Sequence, residues 1–378
     1  MNIAIDARYV ADHFPGIGRY AYNLIRALAE LGTPHHLLVI HNPALHNTRY
    51  DLAALATLPA VELIATTART FSLAEQARIP LLLRQLRADL YHAPYYVRPY
   101  AALPCPSITT LYDVIPRLFP GEVSFRARLL FDTLTRLAIQ SSQHILTISE
   151  SARRDFLSAY LLDPHRITVT PLAADARFAP QPAERIATMC GKYNLPAPYV
   201  LSLASNKPHK NLPLLVEAWQ KYIATASSSS ISPVLVLAGH ADPRYPAARE
   251  QVEQRGLAHH IRFIENVADD DLPALYAGAQ LFVFPSRYEG FGLPPLEAMA
   301  CGTPVICGDV SSLPEVVGDA ALLVDVTDAD ALATGIAQVL TDSSLQAAMA
   351  DHSLRQAARF SWHHTARLTM QAYEEAAS

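Results

Sequence analysis

The chain contains the segment Phe284-Pro285-Ser286-Arg287-Tyr288-Glu289-Gly290-Phe291-Gly292-Leu293-Pro294-Pro295-Leu296-Glu297-Ala298-Met299-Ala300. It leaves the apolar run Leu281–Phe284, crosses a loop with two glycines, and enters a helical segment with prolines near its first turn. Proline is preorganised for that position, where its missing N–H costs nothing. A glycine-containing loop that feeds a helix N-terminus offers unpaired backbone N–H groups and the positive end of the helix dipole, which suits phosphate. Glu289 stands at the mouth of the loop. Glu297 falls within the first helical turns, where a carboxylate can accept paired hydrogen bonds from a ribose diol. Taken on residue types alone, a plain strand–loop–helix turn with two solvated glutamates is an equally good reading.

Working outward, the same strand–helix rhythm fills the chain. Short runs rich in Ile, Val and Leu predict strands at 2–6, 37–40, 61–64, 107–111, 144–148 and 167–169, and again at 199–203, 234–238, 261–264, 281–284, 304–307 and 321–324. Longer amphipathic stretches between them predict helices at 19–29, 72–86, 125–140 and 150–159, then at 212–224, 270–278, 294–300 and 329–340. Alternation of this kind builds parallel sheets covered by helices on both faces. A chain of 378 residues exceeds one compact core, so two domains are expected. The break is read at Arg177-Phe178-Ala179-Pro180-Gln181-Pro182, and the serine run within 224–232 as a surface loop. That gives domains at 1–178 and 179–360, followed by a terminal helical stretch at 361–378. Doubly wound sheets bind ligands beyond the carboxyl ends of their strands, so the expected site is a cleft between the two.

Composition narrows the function classes. Hydrophobic residues make up 51% and charged residues 17%, which suits a well-buried globular chain. A formal net charge of -5 speaks against nucleic acid as partner. Met1 to Asp6 reads as a buried strand and not a secretory signal, and no apolar run is long enough to span a bilayer. Cys105, Cys190, Cys301 and Cys307 are scattered, as expected of free thiols in a reducing cytoplasm. The histidine pairs at 35–36, 259–260 and 363–364 are adjacent in sequence, so each pair diverges, and no metal site is expected.

The residues from Glu289 to Glu297, within EGFGLPPLEAMACGTPVI, resemble the E-x7-E signature of retaining glycosyltransferase family four. Ala204-Ser205-Asn206-Lys207-Pro208-His209-Lys210-Asn211 resembles the family's phosphate loop, and Phe14-Pro15-Gly16-Ile17-Gly18-Arg19-Tyr20 its glycine-rich loop after the first strand. Thr147 to Ser151 and Cys301 to Val305 also fall where the pattern expects them. The resemblance implies a GT-B fold, with two doubly wound Rossmann-like domains facing across a cleft. It implies that Lys210 neutralises the donor's pyrophosphate, with Lys207 as a weaker partner. The loop Gly290-Phe291-Gly292-Leu293 would hold phosphate or sugar by backbone N–H groups, Glu297 the ribose, and Glu289 the transferred sugar. Gly16 and Gly18 would let the first-domain loop approach the donor closely. In the run Thr110-Leu111-Tyr112-Asp113, Tyr112 stands where the family commonly has histidine, so Tyr112 and Asp113 fall on the sugar side, with His92 toward the acceptor.

Further implications concern chemistry. The expected reaction is metal-independent transfer with retention, the nucleotide-sugar being a co-substrate and no cofactor being needed. Asp269-Asp270-Asp271 and Asp328-Ala329-Asp330 carry the acidic spacing that metal-dependent transferases use, but both sit at predicted helix starts and read as caps. The first-domain loop and Asp113-Val114-Ile115-Pro116 most resemble members using GDP-mannose for lipopolysaccharide and other cell-surface glycans. A glycan or lipid-linked acceptor would suit peripheral association with the inner membrane face, although the sequence shows no clear amphipathic anchor. Other readings are a UDP-sugar transferase, a nucleotide-sugar epimerase, and a nucleotide-binding protein without turnover. Gly16, Gly18 and Ala21 fit a dinucleotide spacing, but 33–40 lacks the acidic residue that would hold the ribose.

Overall fold

The structure, a computed structural model, describes residues 1–225 and 233–377. The serine run at 226–232 lies outside the described residues. The chain forms two compact units, one of Met1–Leu172 with Ser361–Ser378 and the other of Ala173–Phe360.

The first unit carries a seven-stranded parallel sheet. Its strands are β1 (Asn2–Asp6), β2 (His36–His41), β3 (Val61–Ala65), β4 (Leu90–Ala93), β5 (Ser107–Leu111), β6 (His144–Thr147) and β7 (Ile167–Val169), in the order β3-β2-β1-β4-β5-β6-β7. Ile3, Ala4 and Ile5 of β1 are all fully buried between β2 and β4, so this strand is apolar on both faces, as an interior parallel strand must be. The strand order reverses between β1 and β4. Ser124 and Ser149 cap the helices Phe125–Ser141 and Glu150–Ala159 by accepting from the N–H of Ala127 and Ala152.

The second unit repeats the plan with six parallel strands. These are β8 (Tyr199–Leu203), β9 (Val234–Ala238), β10 (Ile261–Ile264), β11 (Leu281–Phe284), β12 (Val305–Gly308) and β13 (Leu322–Val324), in the order β10-β9-β8-β11-β12-β13. Here the reversal falls between β8 and β11, which places the loops after those two strands side by side. Helices at Ala183–Lys192, Ala247–Gln254 and Ser343–Ala357 were not foreseen. The two acidic triplets behave differently from each other. Asp328 caps its helix through the N–H groups of Asp330 and Ala331. Asp269–Asp271 instead form a short 3-10 turn without a side-chain cap, and Asp271 pairs with Lys192 at 2.5 Å and accepts from the Tyr193 hydroxyl at 2.7 Å.

Two buried polar clusters brace the first sheet. Arg98, fully buried, donates to the hydroxyls of Thr109, Ser142 and Ser107 at 2.6 to 2.8 Å, and burial pulls its pKa down to about 10. His92 lies within β4, fully buried, with Nδ1 2.6 Å from the Tyr373 hydroxyl and Nε2 2.8 Å from Thr110 Oγ1. Tyr20 reaches the same Thr110 oxygen at 2.9 Å. Tyr373 belongs to the helix Trp362–Ala377, so one histidine ties that helix to the sheet. Trp362, at the start of that helix, is buried with its ring 6.3 Å from that of Tyr20.

Burial pushes the His92 pKa down to about 3, from a usual 6.5, so the folded state holds it neutral. The unfolded chain takes up this proton as pH falls below 6.5, and the folded state refuses it until about pH 3. This group therefore contributes stability above pH 6.5 that is lost at up to about 1.4 kcal/mol per pH unit across that window. Urea denaturation at pH 6.5 and pH 5 should show a loss smaller by about 1–2 kcal/mol in His92→Gln than in the parent; equal losses would contradict a buried neutral ring. Tyr373→Phe, which leaves Nδ1 unpaired, should cost about 1–3 kcal/mol at neutral pH by the same measurement.

Candidate functional site

The adjacency of β8 and β11 brings two loops together at the switch point of the second sheet. From β8 the chain passes Asn206 and Lys207 into a 3-10 turn, Pro208–Lys210, which ends at Asn211 in the left-handed conformation with φ 60°. The Asn211 amide donates to the carbonyls of Pro285 and Val326, at 3.3 and 2.8 Å, and the Arg287 N–H donates to the His209 carbonyl at 2.8 Å. These contacts lock one loop against the other. Lys210 is thereby held with its ammonium 2.6 Å from Glu289 Oε1, in a pair whose side chains keep only 17% and 10% of their surface in water. The ammonium also lies 5.5 Å from the Phe284 ring centre.

The glycine-containing loop is held from beneath. Glu289 donates its N–H to Ser311 Oγ at 2.9 Å, and the Ser312 hydroxyl lies 2.9 Å from the Glu289 carbonyl and 2.7 Å from that of Phe291. Gly292 turns the chain into the helix Leu293–Ala300 with φ 109°, where a Cβ would come within 2.8 Å of Leu313. The helix buries Glu297, whose Oε2 accepts from the Tyr276 hydroxyl at 3.0 Å. Thus Lys210, Glu289, the 290–293 loop and a helix N-terminus share one end of one sheet. Lys207 is exposed on the rim of the same loop.

Beside this group, a cavity of about 310 Å³ runs past the ends of β8, β9 and β10, lined by Ala204, Asn206, Gly239, Tyr245, Arg249, Phe263 and Glu265 among others. Gly239, at φ 132°, makes that approach, because a Cβ there would sit 2.3 Å from the Ala204 carbonyl oxygen. Asn206 shapes its wall by donating to the carbonyls of Asp242 and Tyr245, both at 2.8 Å.

The first-unit candidates fall differently. Gly16 and Gly18 were expected in a loop, but they lie in the opening turns of the helix Pro15–Glu30. Pro15 starts that helix early. A Cβ on Gly18 would meet the Tyr9 carbonyl at 3.0 Å, so its smallness serves packing against the preceding 3-10 turn. Gly16 lines a cavity of about 340 Å³ with Tyr95, Tyr96, Tyr112, Asp113, Phe131 and Thr135. Tyr112 donates to the Pro94 carbonyl at 2.7 Å, and Asp113 accepts from the Ile115 N–H at 3.0 Å. His92 does not join them: its ring is buried and both nitrogens are engaged, so the expected acceptor contact is replaced by a core role. Ser311, Ser312 and Tyr276 are the supporting residues that motif reading missed.

Among the described residues no three His, Cys, Asp or Glu side chains converge as a metal-binding group, and no helix is long and apolar enough to cross a membrane.

Residues 192–356 match the family described as "Glycosyl transferases group 1", and residues 15–178 match "Glycosyltransferase Family 4". The chain is 32% identical over 376 residues to O-antigen chain mannosyltransferase B of Escherichia coli, covering 95% of this chain and 96% of that one. It is 33% identical over 280 residues to serotype-specific mannosyltransferase WbdA of Escherichia coli, but there it spans only 34% of the relative's length. Among solved structures it superposes on sucrose-phosphate synthase from Thermosynechococcus elongatus with TM-score 0.77 at 20% identity, covering 99% and 98% of the two chains. HepE of Anabaena, in complex with UDP and glucose, gives TM-score 0.75 at 20% identity and covers 99% of each chain. With both sheets, the switch-point loops and a full-length relative in agreement, the chain belongs to glycosyltransferase family 4 and has the GT-B fold.

Proposed function

We propose that this glycosyltransferase moves mannose from GDP-mannose onto a glycan or lipid-linked acceptor, with retention and without a divalent cation. The observation that carries the reading is the Lys210–Glu289 pair beside the N-terminus of the helix Leu293–Ala300. Lys210 is a point charge for the departing diphosphate, and the loop N–H groups supply the oriented dipoles that a cation would otherwise provide. Glu297 takes the ribose hydroxyls and Glu289 the transferred sugar. The mannosyltransferase names of the relatives in Escherichia coli support the sugar. A glycan acceptor, and an attachment no firmer than peripheral to the inner membrane face, fit the same reading.

For retention, the leaving phosphate oxygen accepts the proton of the acceptor hydroxyl as that hydroxyl attacks from the same face. The glycosidic bond forms as the bond from sugar to phosphate breaks, and no covalent enzyme intermediate arises. Glu289 stays a hydrogen-bond acceptor and a charge stabiliser throughout. A UDP-sugar donor is the second reading, favoured by the nucleotide that HepE holds.

In a thermal-shift panel of GDP, UDP, ADP and their sugar conjugates with EDTA present, GDP and GDP-mannose should raise the melting temperature by several degrees, and Lys210→Ala should lose that rise. A selective response to UDP would overturn the donor, and a response only after adding a divalent ion would overturn metal independence. Glu289→Gln should slow transfer by about a hundredfold or more while the GDP-induced shift persists; unchanged turnover would remove Glu289 from the chemistry. Ser312→Ala strips the support from two loop carbonyls, so it should cost about 1–3 kcal/mol in urea denaturation and raise the KM for donor. An unchanged KM would show that the loop is held by other means.

A further inference from the structure

Aromatic side chains gather at the carboxyl end of the first sheet, and they come from four different loops. Phe14 follows β1, Phe71 follows β3, Tyr95 and Tyr96 follow β4, and Tyr112 follows β5. Their rings form a continuous track. The Phe71 ring centre lies 6.2 Å from that of Phe14, nearly parallel to it, and 6.4 Å from that of Tyr95. Tyr95 lies 4.1 Å from Tyr96 and 6.5 Å from Tyr112. Tyr95, Tyr96 and Tyr112 line the first-unit cavity with Asp113, so the track runs from the cavity wall outward to Phe71, which is 55% exposed. Phe71 is held there against its own preference. Its φ of 60° is a left-handed backbone angle that a bulky aromatic residue rarely adopts. Such strain persists only where the surroundings impose it, and it gathers at binding sites. Here a buried polar cluster imposes it. Arg8, gripped by Asp6 at 2.6 and 2.8 Å, donates to the Ala68 carbonyl at 3.3 Å and to Glu75 at 3.1 Å. Glu75, itself buried, accepts from the Phe71 N–H.

We propose that this track is an extended acceptor subsite for a carbohydrate chain. The sugar to be extended sits in the cavity, and the sugars before it run over Tyr95 onto Phe71. The inference rests on the glycan-acceptor reading and deepens it to an acceptor of several sugars. A pyranose carries C–H groups on its faces and hydroxyls around its rim. The C–H groups suit the electron-rich face of an aromatic ring. The rim suits the Asp113 carboxylate and the tyrosine hydroxyls that stand among the rings. A wholly apolar ligand would strip water from that carboxylate and give nothing in return. The position agrees with the topology, because a doubly wound sheet receives its ligands beyond the carboxyl ends of its strands. Phe71 acts here as a positioning residue, since it touches the chain at a distance from the sugar that reacts.

The test compares the affinities for mannose and for mannotetraose by ligand-observed NMR titration, in the presence of the nucleotide that the thermal-shift panel selects. The parent should bind mannotetraose about tenfold more tightly than mannose. Phe71→Ala should lose most of that advantage. Phe71→Trp, which keeps a ring at the same place, should retain it. Phe71 is exposed, so both variants should keep the parent's melting temperature and its nucleotide-induced shift, which separates a failed subsite from a failed donor site. An undiminished advantage in Phe71→Ala would overturn the subsite and leave the glycan-acceptor reading standing. A parent that binds the two sugars equally would do the same. A parent that binds neither sugar would overturn the glycan-acceptor reading and the subsite with it.

Discussion

The ion pair between Lys210 and Glu289 is the constraint on which the second unit's site depends. An ammonium and a carboxylate held 2.6 Å apart, both mostly removed from water, are stable only because each neutralises the other. Nothing local in sequence brings them together, since 79 residues separate them. The parallel sheet does, by reversing its strand order between β8 and β11 so that the loops after these strands become neighbours. The contacts of Asn211 with Pro285 and of Arg287 with His209 then fix the loops closely enough for the pair to form. In the proposed reading, a donor diphosphate would compete with Glu289 for the Lys210 ammonium, so that donor binding and the freeing of Glu289 would be parts of one exchange.

The first unit solves a different problem with similar means. Its polar interior, centred on His92, Thr110, Tyr20 and Tyr373, binds the chain's last helix to its first sheet. A buried ring with both nitrogens engaged rigidifies a core and has little to offer a substrate. The cavity under the helix Phe125–Ser141 is lined instead by Tyr95, Tyr96, Tyr112, Asp113 and Gly16.

The strands were legible because an interior parallel strand must be apolar on both faces, and a run such as Leu281–Phe284 permits no other comfortable place. The loop at 290–293 was legible because Gly292 and the prolines after it punctuate the chain where a strand must turn into a helix. Less visible was anything set by one residue of register or by a distant partner. His92 reads as an acceptor-side residue but lies inside a strand, which places its ring in the core. Gly16 and Gly18 read as a loop because a glycine pair outweighed Pro15, although proline starts the helix there just as at Pro294. Ser311 and Ser312 carry no periodic signal, and their importance comes from carbonyls and an N–H more than twenty residues away. Helix Ser343–Ala357 follows the previous one with only Asp342 between, too little punctuation to announce a second element.

Isothermal titration of GDP into the parent, Lys210→Met, Glu289→Gln and the double variant tests the exchange most directly. If Lys210 leaves Glu289 for the diphosphate, Lys210→Met should weaken GDP by about tenfold to a hundredfold. Glu289→Gln should bind GDP at least as tightly as the parent, because its lysine is already released. Equal GDP affinity in the parent and Lys210→Met would contradict the account at its centre.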